Sequence, residues 1–439
     1  MTDDQRFDEL AVMDAARELI KTEGASFQDS IVSFPLCCPS RASYLTGRYA
    51  HNHGVLSNNP EFKGGYPRLH REHTLPVWLQ DTGYVTAQIG RYLNFYGVID
   101  PTDVPPGWDE WAVPPGPSTY LMYDYDLNVN GELVDYGDRP RDYQTDVYAD
   151  RSVEFIRAQR DSDRPFFLSI TPLAPHDEND ESVRSRFDGP RAAPRHHAAL
   201  ADLRTNLGPA FNERDIADKP PSIASAERLN PTQVRNAEGS VLRRARSLLA
   251  VDDLVRRVIG ELEKTDQLDD TYVIFTSDNG YLLGEHRLSG KLAPYEESIR
   301  VPLLVRGPGI EPGTTIEGMT ANIDLAPTIL GFANASPRQL DGISLEPALL
   351  GNAPLPRRPI LLENLDRSRV PQQRLYRGVR TPRWAYFEAA HGEVELYDLT
   401  ADPFQLENLA REPELKSQRR ELAASLHRLR DCRGRDCQQ

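Results

Sequence analysis

Short apolar runs rich in β-branched and aromatic residues recur at Tyr84–Ile89, Phe166–Thr171, Tyr272–Ser277 and Pro302–Arg306, all of strand length. Between the second and third, Leu248, Val251, Val255, Val258, Ile259 and Leu262 fall at spacings of three and four, the repeat of an amphipathic helix. Continuous apolar strands separated by such helices predict an α/β fold, a largely parallel central sheet with helices on both faces. In sheets of that kind ligands bind beyond the carboxyl ends of the strands. That rule marks Ser277, Asp278, Asn279 and Gly280, immediately after the run Tyr272–Thr276.

From Pro356 the texture changes to short segments punctuated by Gly and Pro: Ile360–Glu363, Tyr376–Val379, Trp384–Glu388 and Val394–Leu399. They predict a small antiparallel sheet, followed by a helix carrying Leu415, Leu422, Leu426 and Leu429 on one face. The expected organisation is a catalytic-sized domain over 1–355 and a C-terminal α+β subdomain over 356–439. The stretches 100–145 and 177–238 are rich in Pro, Asp, Asn and Arg without sustained periodicity, and read as long excursions around a pocket mouth. No internal repeat is present.

The 439 residues carry 51 Lys plus Arg against 66 Asp plus Glu, a formal charge of −15, with 39% hydrophobic and 27% charged residues. That balance suits a folded chain and argues against a nucleic-acid partner. No apolar run approaches the roughly 20 residues of a membrane helix, so no membrane span is expected. Cys37 and Cys38 are adjacent, and Cys432 and Cys437 flank a short polar loop. Neither pair has zinc-ligand spacing, and the second reads as a local disulfide suited to an oxidising compartment. No signal peptide precedes Met1-Thr2-Asp3-Asp4-Gln5.

The most specific chemistry lies in Cys37-Cys38-Pro39-Ser40-Arg41-Ala42-Ser43-Tyr44-Leu45-Thr46-Gly47. A cysteine pair alone would read as a buried pair beside a helix start. The whole run resembles the signature of the type I sulfatases of the alkaline phosphatase superfamily, C-x-P-S-R followed by L-T-G. In that family the first cysteine becomes formylglycine, whose hydrated aldehyde is the nucleophile, and the resemblance places this on Cys37. Pro39 suits a first helical position, which would set Cys37 just before a helix N-terminus, where free N–H groups favour an anion. Arg41 would add a charged fork to orient the hydrate and its sulfate.

A sulfate ester needs a cation against its oxygens, and hard oxygen ligands suit one divalent ion, calcium ahead of magnesium. Asp3 and Asp4, with Asp278 and Asn279, match metal-binding segments of the family, and modified Cys37 completes the set. Acidic pairs at a chain start or strand end are by themselves usually solvated turns. The resemblance also makes His176 a substrate-facing histidine and Lys291 a sulfate contact, either of which would protonate the leaving oxygen. Lys291 is one of only six lysines among the 51 basic residues, so it is less easily dismissed as interchangeable surface charge. Arg91 stands where the family usually has lysine, and Leu93 with Asn94 where many members have histidine. Asn94 and His286 are expected to bind substrate; His51, His53 and His286 all sit in matching segments, with structural roles as plausible.

The resemblance runs from Asp3 to the segment YDLTADPFQLENLA and lies nearest the N-acetylglucosamine-6-sulfatase branch. It implies a sulfuric ester hydrolase acting on a sulfated carbohydrate, glucosamine 6-O-sulfate among them, matured by a formylglycine-generating enzyme. A phosphoester or phosphonate hydrolase, or an inactive polyanion-binding homologue, would share the same fold. Sulfatases also lead into their aspartate pair with an apolar strand, whereas only Met1 and Thr2 precede Asp3 here. The expectation is that Met1 is internal to a longer native chain bearing that strand and a secretion signal, in a secreted or periplasmic protein.

Overall fold

A computed structural model of the chain describes residues 1–178, 189–203, 207–336, 338–365 and 375–439. The four expected runs form strands at Val85–Gly90, Phe166–Thr171, Val273–Thr276 and Leu303–Arg306. The expected helix is the C-terminal part of one 34-residue helix, Pro231–Lys264. Its start lies inside the stretch 177–238 that sequence patterning assigns to a loop, a stretch that also includes residues outside the described ones. Asn230 accepts from the N–H groups of Thr232 and Gln233 at 3.0 Å, and Gln233 accepts from the Asn230 N–H at 2.9 Å. This capping box, with Pro231 at the first helical position, starts the helix while its opening turns face largely outward. An exposed turn has no apolar stripe, which is why periodicity misses it.

Two sheets form the centre. In the first, Val85–Gly90 runs parallel to Glu110–Val113 on one side and Phe166–Thr171 on the other. Tyr125–Val129 and Glu132–Tyr136 extend it antiparallel. The last two strands are joined by Asn130 and Gly131, with φ of 50° and 94°, the left-handed pair that a tight hairpin requires. The stretch 100–145 is therefore not an irregular excursion but holds three strands. In the second sheet the order is Thr314–Ala321, Ala25–Ile31, Leu303–Arg306, Val273–Thr276, and only the first pair is parallel. Leu303 lies opposite Thr276, so residues 277–302 form a long connection between neighbouring strand ends, and the chain returns antiparallel. The α/β class is as expected; the sheets are mixed, the first through the hairpin Tyr125–Tyr136 and the second through this connection, which never crosses a sheet face.

Phe166–Thr171 and Val273–Thr276 are the terminal strands of their respective sheets. Met1 and Thr2 tie the two together. The Met1 amino group donates to Ile170 O at 2.9 Å, the Thr2 N–H to Thr276 O at 2.9 Å, and the Asp278 N–H to Thr2 O at 3.1 Å. Beyond that joint lies a cavity of about 820 Å³ whose wall includes Phe166, Leu168, Ile274, Val255, Ile329 and Phe332. Apolar faces of strands and helices form part of the wall, and Arg160, Asp161, Asp163 and Asp270 also line it.

The C-terminal strands are Ile360–Asn364, Tyr376–Arg380, Trp384–Ala389 and Val394–Asp398, paired antiparallel in that order. Helix Lys416–Leu429 buries Leu422, Leu426 and Leu429, while Leu415 belongs to the turn before it. One buried cluster joins Tyr49, Tyr295 and Ile323 to Leu361, Val379 and Leu396 of this sheet. Cys432 and Cys437 are disulfide-bonded. Among the described residues no helix is long and apolar enough to cross a membrane.

The cavity generates a prediction. Six apolar residues added ahead of Met1, the length of Phe166–Thr171, are expected to pair with both strand edges and fill it. Differential scanning calorimetry should then show Tm higher by several degrees. A proline-interrupted run of the same composition, which removes ladder donors, should give no rise.

Candidate active site

Leu36 is extended, with φ of −155°, and the helix Cys37–Thr46 begins at Cys37 itself, not after it. Pro39 is thus the third helical residue. It still removes no bond, because first-turn N–H groups have no acceptor within the helix. The Cys38 N–H is held by Asn58 Oδ1 at 2.9 Å. Cys38, Ala42 and Leu45 pack against Tyr92, Trp108 and Trp111, which fixes the helix and leaves Cys37 buried at the convergence of the two sheets.

Asp3 and Asp4 follow the Thr2 joint, and Asp4 sits at φ 65°, a left-handed conformation that few non-glycine residues take. Asp278 follows Val273–Thr276. Its Oδ1 accepts the Asp4 N–H at 3.0 Å and its Oδ2 accepts Arg41 Nε at 2.8 Å. Arg41 also donates to Asp3 Oδ2 at 2.8 Å and to the carbonyls of Arg91 at 2.7 Å and Tyr92 at 3.2 Å. Arg41 is therefore engaged by protein groups on all three nitrogens, and its geometry positions carboxylates instead of presenting a fork to the sulfate. Arg91 follows the strand Val85–Gly90. It ion-pairs with Asp3, donates from Nη2 to Asn94 Oδ1 at 3.1 Å, and leaves Nε buried without a partner among the described residues. Gly90, at φ 103°, makes this turn possible, since a Cβ there would lie 2.4 Å from Thr171 O.

Lys291 donates to Asp4 Oδ1 and, at 2.9 Å, to Cys37 Sγ. Asp4 keeps its ammonium charged against the cost of burial. His176 Nε2 is 3.6 Å from Asp4 Oδ2, and its Nδ1 is 2.6 Å from Asp177 O, so Nδ1 carries the hydrogen. Burial, assisted by Lys291 and Arg91 and opposed by Asp4, brings His176 down to about 3. Burial also pushes Asp3 up to about 6 despite Arg91 and Arg41, while Lys291, outweighing burial together with its neighbours, holds Asp4 low. The Cys37 thiol is raised by burial, against Lys291 and Arg91. A thiol that resists ionisation is a poor nucleophile as encoded.

Oxygen, sulfur and nitrogen atoms of Asp3, Asp4, Cys37 and His176 converge within 4.8 Å, a group able to hold a metal ion. The residues fit a hard cation in a second way. Asn279 donates through Nδ2 to Asp4 Oδ1 at 2.6 Å, but its Oδ1 is buried with no partner among the described residues, a bare acceptor beside the aspartates. Three carboxylates, Asp3, Asp4 and Asp278, face three cations, Arg41, Arg91 and Lys291. The paired charges largely offset one another, and a cation held by the convergent acceptors would add positive charge for an anion.

The other expected residues fall in different places. Asn94 reaches Cys38, not Cys37: its N–H donates to Cys38 Sγ at 3.1 Å and its Oδ1 accepts from that thiol at 3.2 Å. His286 is fully buried, with Nδ1 2.7 Å from Glu213 and its ring 4.0 Å from that of Tyr295, in a packed wall and not at an open surface. His51 binds Glu363 and Cys432 O, and His53 binds Ser43, both structural contacts. Two site residues escape sequence reasoning. Arg244 braces Asp4 O at 2.6 Å and Pro175 O at 3.3 Å; its signal is a charge on the helix's apolar stripe, four residues before Leu248. Tyr120 contacts Arg91, Asn94 and His176 from a stretch without periodicity.

A family model described as Sulfatase matches residues 1–335, and one described as N-sulphoglucosamine sulphohydrolase, C-terminal, matches residues 284–432. The chain is 34% identical over 486 residues to the N-acetylglucosamine-6-sulfatase of Homo sapiens, covering 100% of this chain and 84% of that protein. It is 34% identical over 358 residues to the extracellular sulfatase SULF-1 homolog of Drosophila melanogaster, covering 80% of this chain but only 31% of that longer protein. Among solved structures, BT4656 in complex with its substrate D-glucosamine-2-N,6-O-disulfate superimposes with a TM-score of 0.79 at 24% identity, over 97% of this chain and 95% of that one. The phosphonate monoester hydrolase of Silicibacter pomeroyi does so with a TM-score of 0.69 at 24% identity, over 98% and 94%. At such identities the structures speak for the fold, whereas the sequence match takes in the Cys37 helix, the aspartate pair and Lys291 together: the chain belongs to the sulfatase family.

Proposed function

We propose that this protein hydrolyses sulfuric esters of a sulfated carbohydrate, glucosamine 6-O-sulfate being the favoured substrate, at a formylglycine formed from Cys37 by a formylglycine-generating enzyme. The observation that carries the reading is the contact of one Lys291 ammonium with both Cys37 Sγ and Asp4. It joins the modified position, a charge-stabilising cation and a metal-competent carboxylate within one hydrogen-bonded unit. Named sulfatases among the relatives at 34% identity support the substrate class. The Cys432–Cys437 disulfide and the extracellular relatives support a secreted or periplasmic site of action.

The hydrated aldehyde at position 37 supplies an oxygen nucleophile and a second hydroxyl through which sulfate is released. Asp3, Asp4, Asp278 and Asn279 would hold a calcium ion ahead of magnesium, since their oxygens are drawn from separate loops, and the ion would offset charge on the sulfuryl oxygens. Lys291 has three hydrogens, two of them engaged by Asp4 and Cys37; no other described residue takes the third, which would serve the leaving oxygen. Its candidacy as acid exceeds that of His176, whose Nδ1 hydrogen is committed to Asp177 O. Arg91 would stabilise charge through Nε, which has no partner among the described residues. A phosphonate or phosphate ester hydrolase is the second reading, because the same fold carries one, and parallel assays on sulfate and phosphate esters separate the two.

Cys37→Ala is expected to abolish turnover of an aryl sulfate and the aldehyde signal in the mass of its peptide. Cys38→Ala should keep at least about a tenth of kcat/KM, because it loosens Asn94 without touching the nucleophile. Comparable loss from both would reject the assignment. Lys291→Ala should lower kcat about tenfold or more further for an alkyl sulfate than for an activated aryl sulfate, as loss of an acid requires. Equal losses would make it a binding residue. Calorimetric titration of chelator-treated protein should show calcium binding, weakened at least about tenfold in Asn279→Ala, with activity restored by calcium better than by magnesium.

A further inference from the structure

Tyr120 ends the short turn Gly116–Tyr120, which is anchored where the Gly116 N–H donates to Tyr96 O and Thr119 Oγ1 to Pro114 O, each at 2.8 Å. Its ring centroid lies 5.4 Å from that of His176 and 4.7 Å from the Arg91 guanidinium carbon. Its hydroxyl oxygen accepts from Arg91 Nη2 at 3.0 Å and from Asn94 Nδ2. The Asn94 orientation is fixed by its other end, where Oδ1 takes Arg91 Nη2 and the Cys38 thiol, so only the NH₂ can face Tyr120.

A phenol oxygen has two lone pairs and one hydrogen. Both lone pairs are occupied by donors, and none of the described residues accepts the hydrogen. His176 meets Tyr120 through a tilted ring contact and makes no hydrogen bond to its hydroxyl, its own Nδ1 hydrogen going to Asp177 O. A phenol keeps its hydrogen at neutral pH, so the donor is present. Two donors acting on one oxygen also polarise its O–H bond and strengthen it as a donor.

We infer that Tyr120 gives this hydrogen bond to a non-bridging oxygen of the sulfuryl group in transfer, as a neutral donor beside the cationic Arg91 and Lys291. The inference rests on the proposed hydrolysis at position 37 and deepens it by naming a further group that touches the substrate. A donor to a non-bridging oxygen stabilises charge whichever alcohol departs, so its contribution is independent of the leaving group.

The test uses full-length protein whose aldehyde content at position 37 is verified by mass spectrometry. Tyr120→Phe keeps the ring and is expected to lower kcat/KM about tenfold to a hundredfold, by the same factor on aryl and alkyl sulfates, with Tm unchanged within a few degrees. Replacing Tyr120 with 3-fluorotyrosine keeps the fold and separates the two roles of the hydroxyl, because fluorine strengthens the donor and weakens the acceptor. Measured below neutral pH, kcat/KM should exceed the wild-type value. An unchanged or lower value would make Tyr120 only a scaffold for Arg91 and Asn94 and overturn the inference, as would a Tyr120→Phe protein of wild-type activity. A wild-type protein that carries the aldehyde yet hydrolyses no sulfate ester overturns the functional reading instead.

Discussion

The Asp3 carboxylate lies buried between the guanidinium groups of Arg41 and Arg91, and much of the site depends on that three-way ion pair. Burying an ion costs several kcal/mol, roughly, unless partners of opposite charge surround it in good geometry. Each partner belongs to a different part of the fold: Arg41 to the helix that begins at Cys37, Arg91 to the end of the central strand, Asp3 to the joint between the sheets. The charge network therefore registers the nucleophile helix against both sheets. The same network largely offsets the protein's own charge at the site, so a cation held there would add to the pull of Arg91 and Lys291 on an anionic ester.

The wall on the other side of Cys37 is built by the connection 277–302, and the C-terminal sheet holds that connection in place. Tyr295 donates to Glu395 at 3.0 Å, the Glu296 N–H to Gln405 Oε1 at 2.8 Å, and Arg380 pairs with Glu296 at 2.8 Å. His51, just past the nucleophile helix, reaches Glu363 and the carbonyl of Cys432. The small sheet, the disulfide and the Lys291 segment thus form one support, and the buried cluster shared between them gives it an apolar base.

Legibility in the sequence follows from burial and from local chemistry. Phe166–Thr171 and the second half of the long helix are read directly, because each presents an apolar surface with its own period. Ala25–Ile31 escapes notice, since Gln28, Asp29 and Ser30 interrupt its apolar residues while its partners lie near the far end of the chain. Asn130-Gly131 is a hairpin signal concealed by the proline-rich text around it. The Cys37 helix and Lys291 are legible because chemistry fixes residue types at fixed spacing. The partners of Arg41 and the place of Tyr120 are not, because they are set by tertiary distances that no local pattern encodes.

The pairing of Ala25–Ile31 also bears on how the chain is made. Its neighbours are Thr314–Ala321 and Leu303–Arg306, and Ile31 stands opposite Ala321, 290 positions later. On a ribosome adding about 5 to 20 residues per second, this strand waits roughly 15 to 60 seconds for its partners, while the Val85–Gly90 sheet can close from local segments. Its run of polar residues Gln28, Asp29 and Ser30, which hides it from pattern reading, keeps an unpaired strand soluble during that delay.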